Sequence, residues 1–101
     1  MNTTLIPDTF TGEGEVKGFT FNRVSETQHL DIFEVLADGS TMPHYEVIVK
    51  KFVPVCIDFE NRIYSDTEFK QVYPKAKDFG VLGWSFRNLQ TANDFAQNYK
   101  Q

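Results

Sequence analysis

HYEVIVKKFV, residues 44 to 53, is the stretch whose reading decides the fold. Alternate positions Tyr45, Val47, Val49 and Val53 put aromatic and β-branched side chains on one side, the period of two that marks a strand lying on a core. The opposite side mixes His44, Glu46, Ile48, Lys50 and Phe52, which suits a sheet face only partly covered. The stretch is read as one central strand.

Working upstream, Asp38-Gly39 suits a positive φ and a hairpin connection, with Pro43 lengthening the loop. HLDIFEVL, residues 29 to 36, precedes it as another strand. Leu30, Ile32 and Leu36 share a side with Glu34, and Phe33 and Val35 share the other with Asp31, so both sides are expected to be partly buried. Polar residues 25 to 28 form a turn. Before them, from Glu15 to Arg23, Phe19 and Phe21 point inward from a first strand. Residues 1 to 14, with Pro7, Gly12 and Gly14, are expected to form a mobile or loosely docked arm, and residues 15 to 101 a single domain.

Downstream, Pro54 cannot donate to a ladder and marks a bend, bulge or edge. Val55, Ile57 and Phe59 then alternate with Cys56, Asp58 and Glu60 as a further strand, and Glu60-Asn61-Arg62 is a turn. Residues 66 to 73 admit two readings. Ser65 and Glu68 have capping-box spacing, and Phe69, Val72 and Tyr73 fall at helical intervals, which predicts a short helix; Phe69 to Tyr73 also reads as a brief strand. Tyr73-Pro74 ends either one. VLGWSF, residues 81 to 86, is the last strand, with Leu82, Trp84 and Phe86 inward. Asn88 caps a final helix, residues 89 to 100, whose Leu89, Ala92, Phe95, Ala96 and Tyr99 form an apolar stripe. The fold class is therefore α+β: an antiparallel sheet of four or five strands with the C-terminal helix packed on one face.

Composition limits the functions to consider. The chain of 101 residues is one domain's worth, and its ten Phe, four Tyr and one Trp supply a ring-rich core. Cys56 is the single cysteine, so no internal disulfide forms and a reducing cytoplasm is expected. The start lacks the basic and apolar run of a signal peptide, and no apolar run approaches the roughly 18 residues of a spanning helix, so no membrane role is expected. The net charge is −4. Its acid gathers in residues 1 to 40, where Asp8, Glu13, Glu15, Glu26, Asp31, Glu34 and Asp38 face only Lys17 and Arg23. That distribution argues against nucleic acid as a partner, because backbone binding needs a basic stripe.

Chemistry-bearing residues are sparse. His29 and His44 have no companions at ligand spacing, and metal sites usually need three or four donors. Cys56 would need a histidine and an orienting group to act as a nucleophile. Asp58 and Glu60 share one side of a strand and could perturb each other as catalytic dyads do; a solvated outer face is the plainer reading. Gly12-Glu13-Gly14 lacks the rest of a phosphate loop and reads as a hinge. Phe19, Phe21, Tyr45 and Phe52 could stack bases, but the basic groove that accompanies such rings is only hinted at by Lys50, Lys51, Lys75 and Lys77, and core packing is preferred. No catalytic, metal or cofactor site is assigned.

The last third, YPKAKDFGVLGWSFRNLQTANDF, resembles a pattern in small bacterial and phage proteins. Tyr73-Pro74, Phe79-Gly80, Trp84 and Ala92 carry it, preceded by the Tyr45-Glu46-Val47 strand. The resemblance implies a bacterial or phage origin and a strand before Tyr73, and brings no activity.

Two functions are carried forward. One is a non-enzymatic cytoplasmic interaction module, a phage accessory factor that binds and modulates a host protein with a basic surface through Glu26, Asp31, Glu34 and Asp38, four carboxylates with no cation between them. The other is a small hydrolase or nucleic-acid-modifying enzyme using Asp58, Glu60, His29 or His44; a histidine and a carboxylate within about 3 Å in a cleft would favour it.

Overall fold

A computed structural model describes residues 2 to 99. The chain is α+β, with a five-stranded sheet, a three-stranded sheet and one C-terminal helix. Among the described residues eight strands precede the helix: β1 (Asn2–Thr4), β2 (Thr9–Thr11), β3 (Phe19–Glu26), β4 (Leu30–Ala37), β5 (His44–Val49), β6 (Lys51–Asp58), β7 (Ile63–Val72) and β8 (Gly83–Phe86), followed by α1 (Leu89–Asn98). Two compact units result. Residues 2 to 6 and 50 to 73 form one, and residues 7 to 49 and 74 to 99 the other.

The larger unit holds the antiparallel sheet β2-β3-β4-β5-β8. Thr27 closes the β3–β4 turn: its hydroxyl accepts from the Leu30 N–H at 3.1 Å, and its own N–H donates to the Leu30 carbonyl at 2.8 Å. At the other end Gly39, with φ +78°, turns β4 into β5, a backbone conformation that favours glycine. The Thr27 pairing starts β4 so that Leu30, Ile32, Glu34 and Leu36 share one face. The register sets them beside Val49, Val47 and Tyr45 of β5, and then Trp84 and Phe86 of β8.

The helix α1 covers that face. Leu30, Ile32, Val47, Ala92 and Ala96 are its buried centre, ringed by Tyr45, Trp84, Phe86, Phe95 and Tyr99. Asn88 caps the helix, its side-chain oxygen accepting from the Thr91 N–H at 2.8 Å, so one end donor is satisfied. The opposite face buries Phe21, Phe33, Val35 and Ile48, with the Phe10 ring stacked on Phe21 at 4.6 Å and edge-on to Phe33. β4 is thus buried on both faces, as the two-sided apolar content of residues 29 to 36 predicts.

The smaller unit is the sheet β1-β7-β6, with β1 parallel to β7 and β6 antiparallel to it. Three expectations change here. HYEVIVKKFV is two strands rather than one: the ladder of β5 ends at Val49, and Lys51 onward pairs with Val72 in the other sheet. Residues 63 to 72 are strand, not helix. The Ser65 hydroxyl does accept from the Thr67 and Glu68 N–H groups, at 3.1 and 2.9 Å, the local bonds that the capping-box spacing anticipates. Those bonds fall in a bulge of β7, residues 65 to 68, which the β6 ladder skips; pairing of Tyr64 and Phe69 with β6, and of Glu68 to Lys70 with β1, carries the strand across it. Finally, residues 1 to 14 contribute a strand to each sheet, β1 in one and β2 in the other.

Candidate functional site

The β6–β7 hairpin carries apolar surface that its own unit does not bury. β1 pairs only with Glu68 to Lys70 of β7, so beyond the Ser65 bulge the hairpin is a two-stranded ribbon ending in the turn 59 to 62. The ladder is irregular twice: between Pro54 and Cys56, where β7 carries the extra residues from Ser65 to Glu68, and between Cys56 and Asp58, where β6 carries the extra residue. At the end of this ribbon Ile57 is 65% exposed and Phe59 86%, and Ile63 and Tyr64 are about half exposed. A two-stranded ribbon cannot enclose such side chains, because each of its faces is one layer thick.

The turn at the tip is closed by side-chain hydrogen bonds. The Asp58 carboxylate accepts from the Glu60 and Asn61 backbone N–H groups, at 3.1 and 3.3 Å, and from the Asn61 side-chain amide at 2.8 Å. Arg62 follows in the left-handed region, φ +53°. The Asn61 side-chain amide, and next its backbone N–H, stabilise the Asp58 anion and hold its carboxyl below the ordinary aspartate value. Asp58 is therefore an architectural group of the turn. Glu60 and Asp66 stand exposed near the tip with Arg62, giving the apolar end acidic neighbours.

The four carboxylates expected to form a partner-binding patch do not share a surface. Asp31 is 1% exposed, and Arg23 Nε donates to it at 3.1 Å; the same guanidinium pairs with Asp8 and lies 5.0 Å over the Phe33 ring. Asp31 is a core residue of the larger sheet. Glu34 lies on the helix-covered face, half-buried, and accepts from the Tyr45 hydroxyl at 3.4 Å. Burial, with Glu34 second, raises the Tyr45 pKa. Glu26 and Asp38 are exposed, but they sit at opposite ends of the β3–β4 hairpin, about 23 Å apart at the usual strand rise. Sequence proximity misleads here because alternation sends Asp31 and Glu34 to opposite faces.

Of the residues considered for acid–base chemistry, His44 meets a carboxylate, that of Glu46. Two apart on β5 and therefore on one face, they approach with Nε2 to Oε2 at 2.8 Å. His29 lies exposed in the β3–β4 turn, while Asp58 and Glu60 belong to the hairpin. Cys56 is half-buried on β6. Among the described residues no group of three His, Cys, Asp or Glu side chains could hold a metal ion, and no helix is long and apolar enough to cross a membrane.

Sequence reasoning passed over the exposed tip. Val55, Ile57 and Phe59 alternate with polar residues as a core-facing strand does, and only Pro54 and the Glu60-Asn61-Arg62 turn hint that this strand leaves the core. Compared with protein-family models, with curated proteins and with solved structures, the chain matches none.

Proposed function

We propose that this protein is a non-enzymatic interaction module that meets a partner protein through the end of the β6–β7 hairpin. The observation that carries the reading is the set Ile57, Phe59, Ile63 and Tyr64, exposed together within eight residues. Large apolar side chains left exposed on both faces of one hairpin end are surface of the kind that marks a contact site. Burying each side chain in a partner would return roughly 1.5–3 kcal/mol, or about 6–12 kcal/mol gross. Association itself costs about 4–15 kcal/mol. A contact made by this tip alone is therefore moderate and reversible.

The acidic residues Glu60 and Asp66 fit a partner with a basic surface, since complementary charge steers encounter and rejects acidic competitors. The particular form of the reading is a bacterial or phage accessory factor that works in the cytoplasm and modulates a host protein. Affinity capture from a bacterial lysate tests it, comparing the native chain with a variant carrying Ile57→Ser, Phe59→Ser, Ile63→Thr and Tyr64→Ser. The variant should lose the proteins retained by the native chain. Equal capture by the two would refute the reading.

The His44–Glu46 contact favours a second reading, hydrolysis or nucleic-acid modification by histidine and carboxylate chemistry. Same-face neighbours on one strand meet for structural reasons alone, which is why this reading stands second. A turnover abolished by His44→Gln, with folding intact, would promote it.

A further inference from the structure

β8 is the outermost strand of the five-stranded sheet, and its hydrogen-bond parity can be worked out. The Val49 N–H donates to the Leu82 carbonyl at 2.9 Å. In an antiparallel ladder, residues bonded across alternate with residues whose N–H and C=O face away. With Val47 opposite Trp84 and Tyr45 opposite Phe86, Trp84 and Phe86 spend their backbone groups on β5, and Gly83 and Ser85 turn theirs outward. The Gly80 N–H donates to the Gly83 carbonyl at 2.7 Å and Phe79 bridges Gly83 in the parallel sense, which agrees with this parity and takes up Gly83 within the chain, so the open part of the edge begins at Ser85. Ser85, next outward, is exposed.

Beside this open edge, on the helix side of the sheet, runs a groove of about 490 Å³ lined by Phe86, Thr91, Asp94, Phe95, Asn98 and Tyr99. The rings of Phe86, Phe95 and Tyr99 form a continuous apolar floor, Phe95 lying 5.3 Å from Phe86 and 6.0 Å from Tyr99. Thr91, Asp94 and Asn98 are the polar rim, and Asp94 is the charged residue among the six. A strand added to β8 would lie about 4.8 Å away and send every second side chain into this groove.

We propose that the β8 edge and the groove beside it accept an extended peptide segment of a partner protein as a sixth strand. Its alternate apolar side chains lie on the Phe86, Phe95 and Tyr99 rings, and a lysine or arginine reaches Asp94. Edge addition of this type draws affinity from main-chain bonds and specificity from the side chains that enter pockets. Charge decides against a second copy as the occupant: symmetric pairing of two β8 edges would bring both Asp94 carboxylates to the same groove, where like charges repel.

The inference is independent of the hairpin reading and is tested with the tip intact. The probe is a labelled, acetylated hexapeptide with leucine at positions 1 and 3, lysine at position 5 and threonine between them, so that both leucines and the lysine share one face, titrated into the full chain by fluorescence anisotropy. Saturable binding is expected, weakened at least about tenfold by Asp94→Lys or by replacing the peptide lysine with glutamate. N-methylation of one alternate set of peptide amides should abolish binding, and of the other set should leave it unchanged, because one set alone faces β8. Absence of saturable binding would overturn the proposal, as would equal tolerance of both N-methylated peptides. A concentration-dependent dimer in sedimentation that protects the Ser85 amide would also overturn it, by assigning the edge to a second copy.

Discussion

Removing α1 by ending the chain at Arg87 should abolish cooperative folding of the larger unit. Leu30, Ile32 and Val47 are essentially fully buried against the helix. At roughly 1.5–3 kcal/mol for each buried aliphatic side chain, uncovering the three forfeits about 5–9 kcal/mol. That is comparable with the whole net stability expected of a small domain, about 5–15 kcal/mol. A gentler perturbation scales the argument. The Asn88 side-chain oxygen accepts from both the Thr91 N–H and the Thr91 hydroxyl, each at 2.8 Å, so Asn88→Ala should cost about 1 kcal/mol and lower Tm by about 4–8 °C. Near-ultraviolet circular dichroism reads both variants, because Trp84 packs 4.7 Å from Phe95 and loses its fixed environment when the helix leaves. A truncated chain that kept a sharp transition within a few degrees of the native one would refute the assignment of the core to the helix-covered face.

Asp31→Ala should destabilise by about 1.5–3 kcal/mol, since it strips a hydrogen-bonded carboxylate from a largely buried guanidinium that keeps its pairing with Asp8, while Glu26→Gln should stay within about 0.5 kcal/mol; urea midpoints separate the two, and equal effects would mean that Asp31 is not a core group. The four tip substitutions should leave Tm nearly unchanged, at about 0.5 kcal/mol or less per site, and a large loss in a thermal melt would show that the tip residues hold the fold instead of meeting a partner. Because the Asp58 pKa is lowered in the folded chain, its contribution is present above the ordinary aspartate value and is lost as pH falls through the lowered one. An NMR titration should therefore show the Glu60 and Asn61 amides steady from neutral pH down to the ordinary aspartate range and shifting below it. Asn61→Ala should move that midpoint upward, and an unmoved midpoint would contradict the assigned cause.

Much of the larger unit was legible before any coordinates. Asp38-Gly39 and Asn88 are local signals, and each acts on its own neighbours, so the turn after β4 and the start of α1 follow from short stretches; the first strand, expected from Glu15 to Arg23, runs from Phe19 to Glu26 because its ladder with β4 continues past Arg23. What was not legible depends on pairing between distant segments. Nothing local in HYEVIVKKFV says that Lys51 will pair with Val72, because the apolar alternation runs almost unbroken across the change of sheet. Ser65 offered its hydroxyl to the expected N–H groups, and the outcome was set by two neighbouring strands more than by the bond. Asp31 shows the same limit for charge: its burial depends on Arg23 arriving from the adjacent strand, so four acidic residues close in sequence looked like a surface. The candidate site was hidden for the converse reason, since Ile57 and Phe59 carry a core pattern on a ribbon that nothing in its own unit covers.

Site-specific photocrosslinking in bacterial cells tests the central claim most directly, with a photoreactive residue at Phe59, at Glu26 or at Lys17. The hairpin account predicts a discrete protein adduct from position 59 and none of comparable yield from position 26 or 17. Adducts of equal yield at all three positions, or an adduct from position 26 alone, would contradict it.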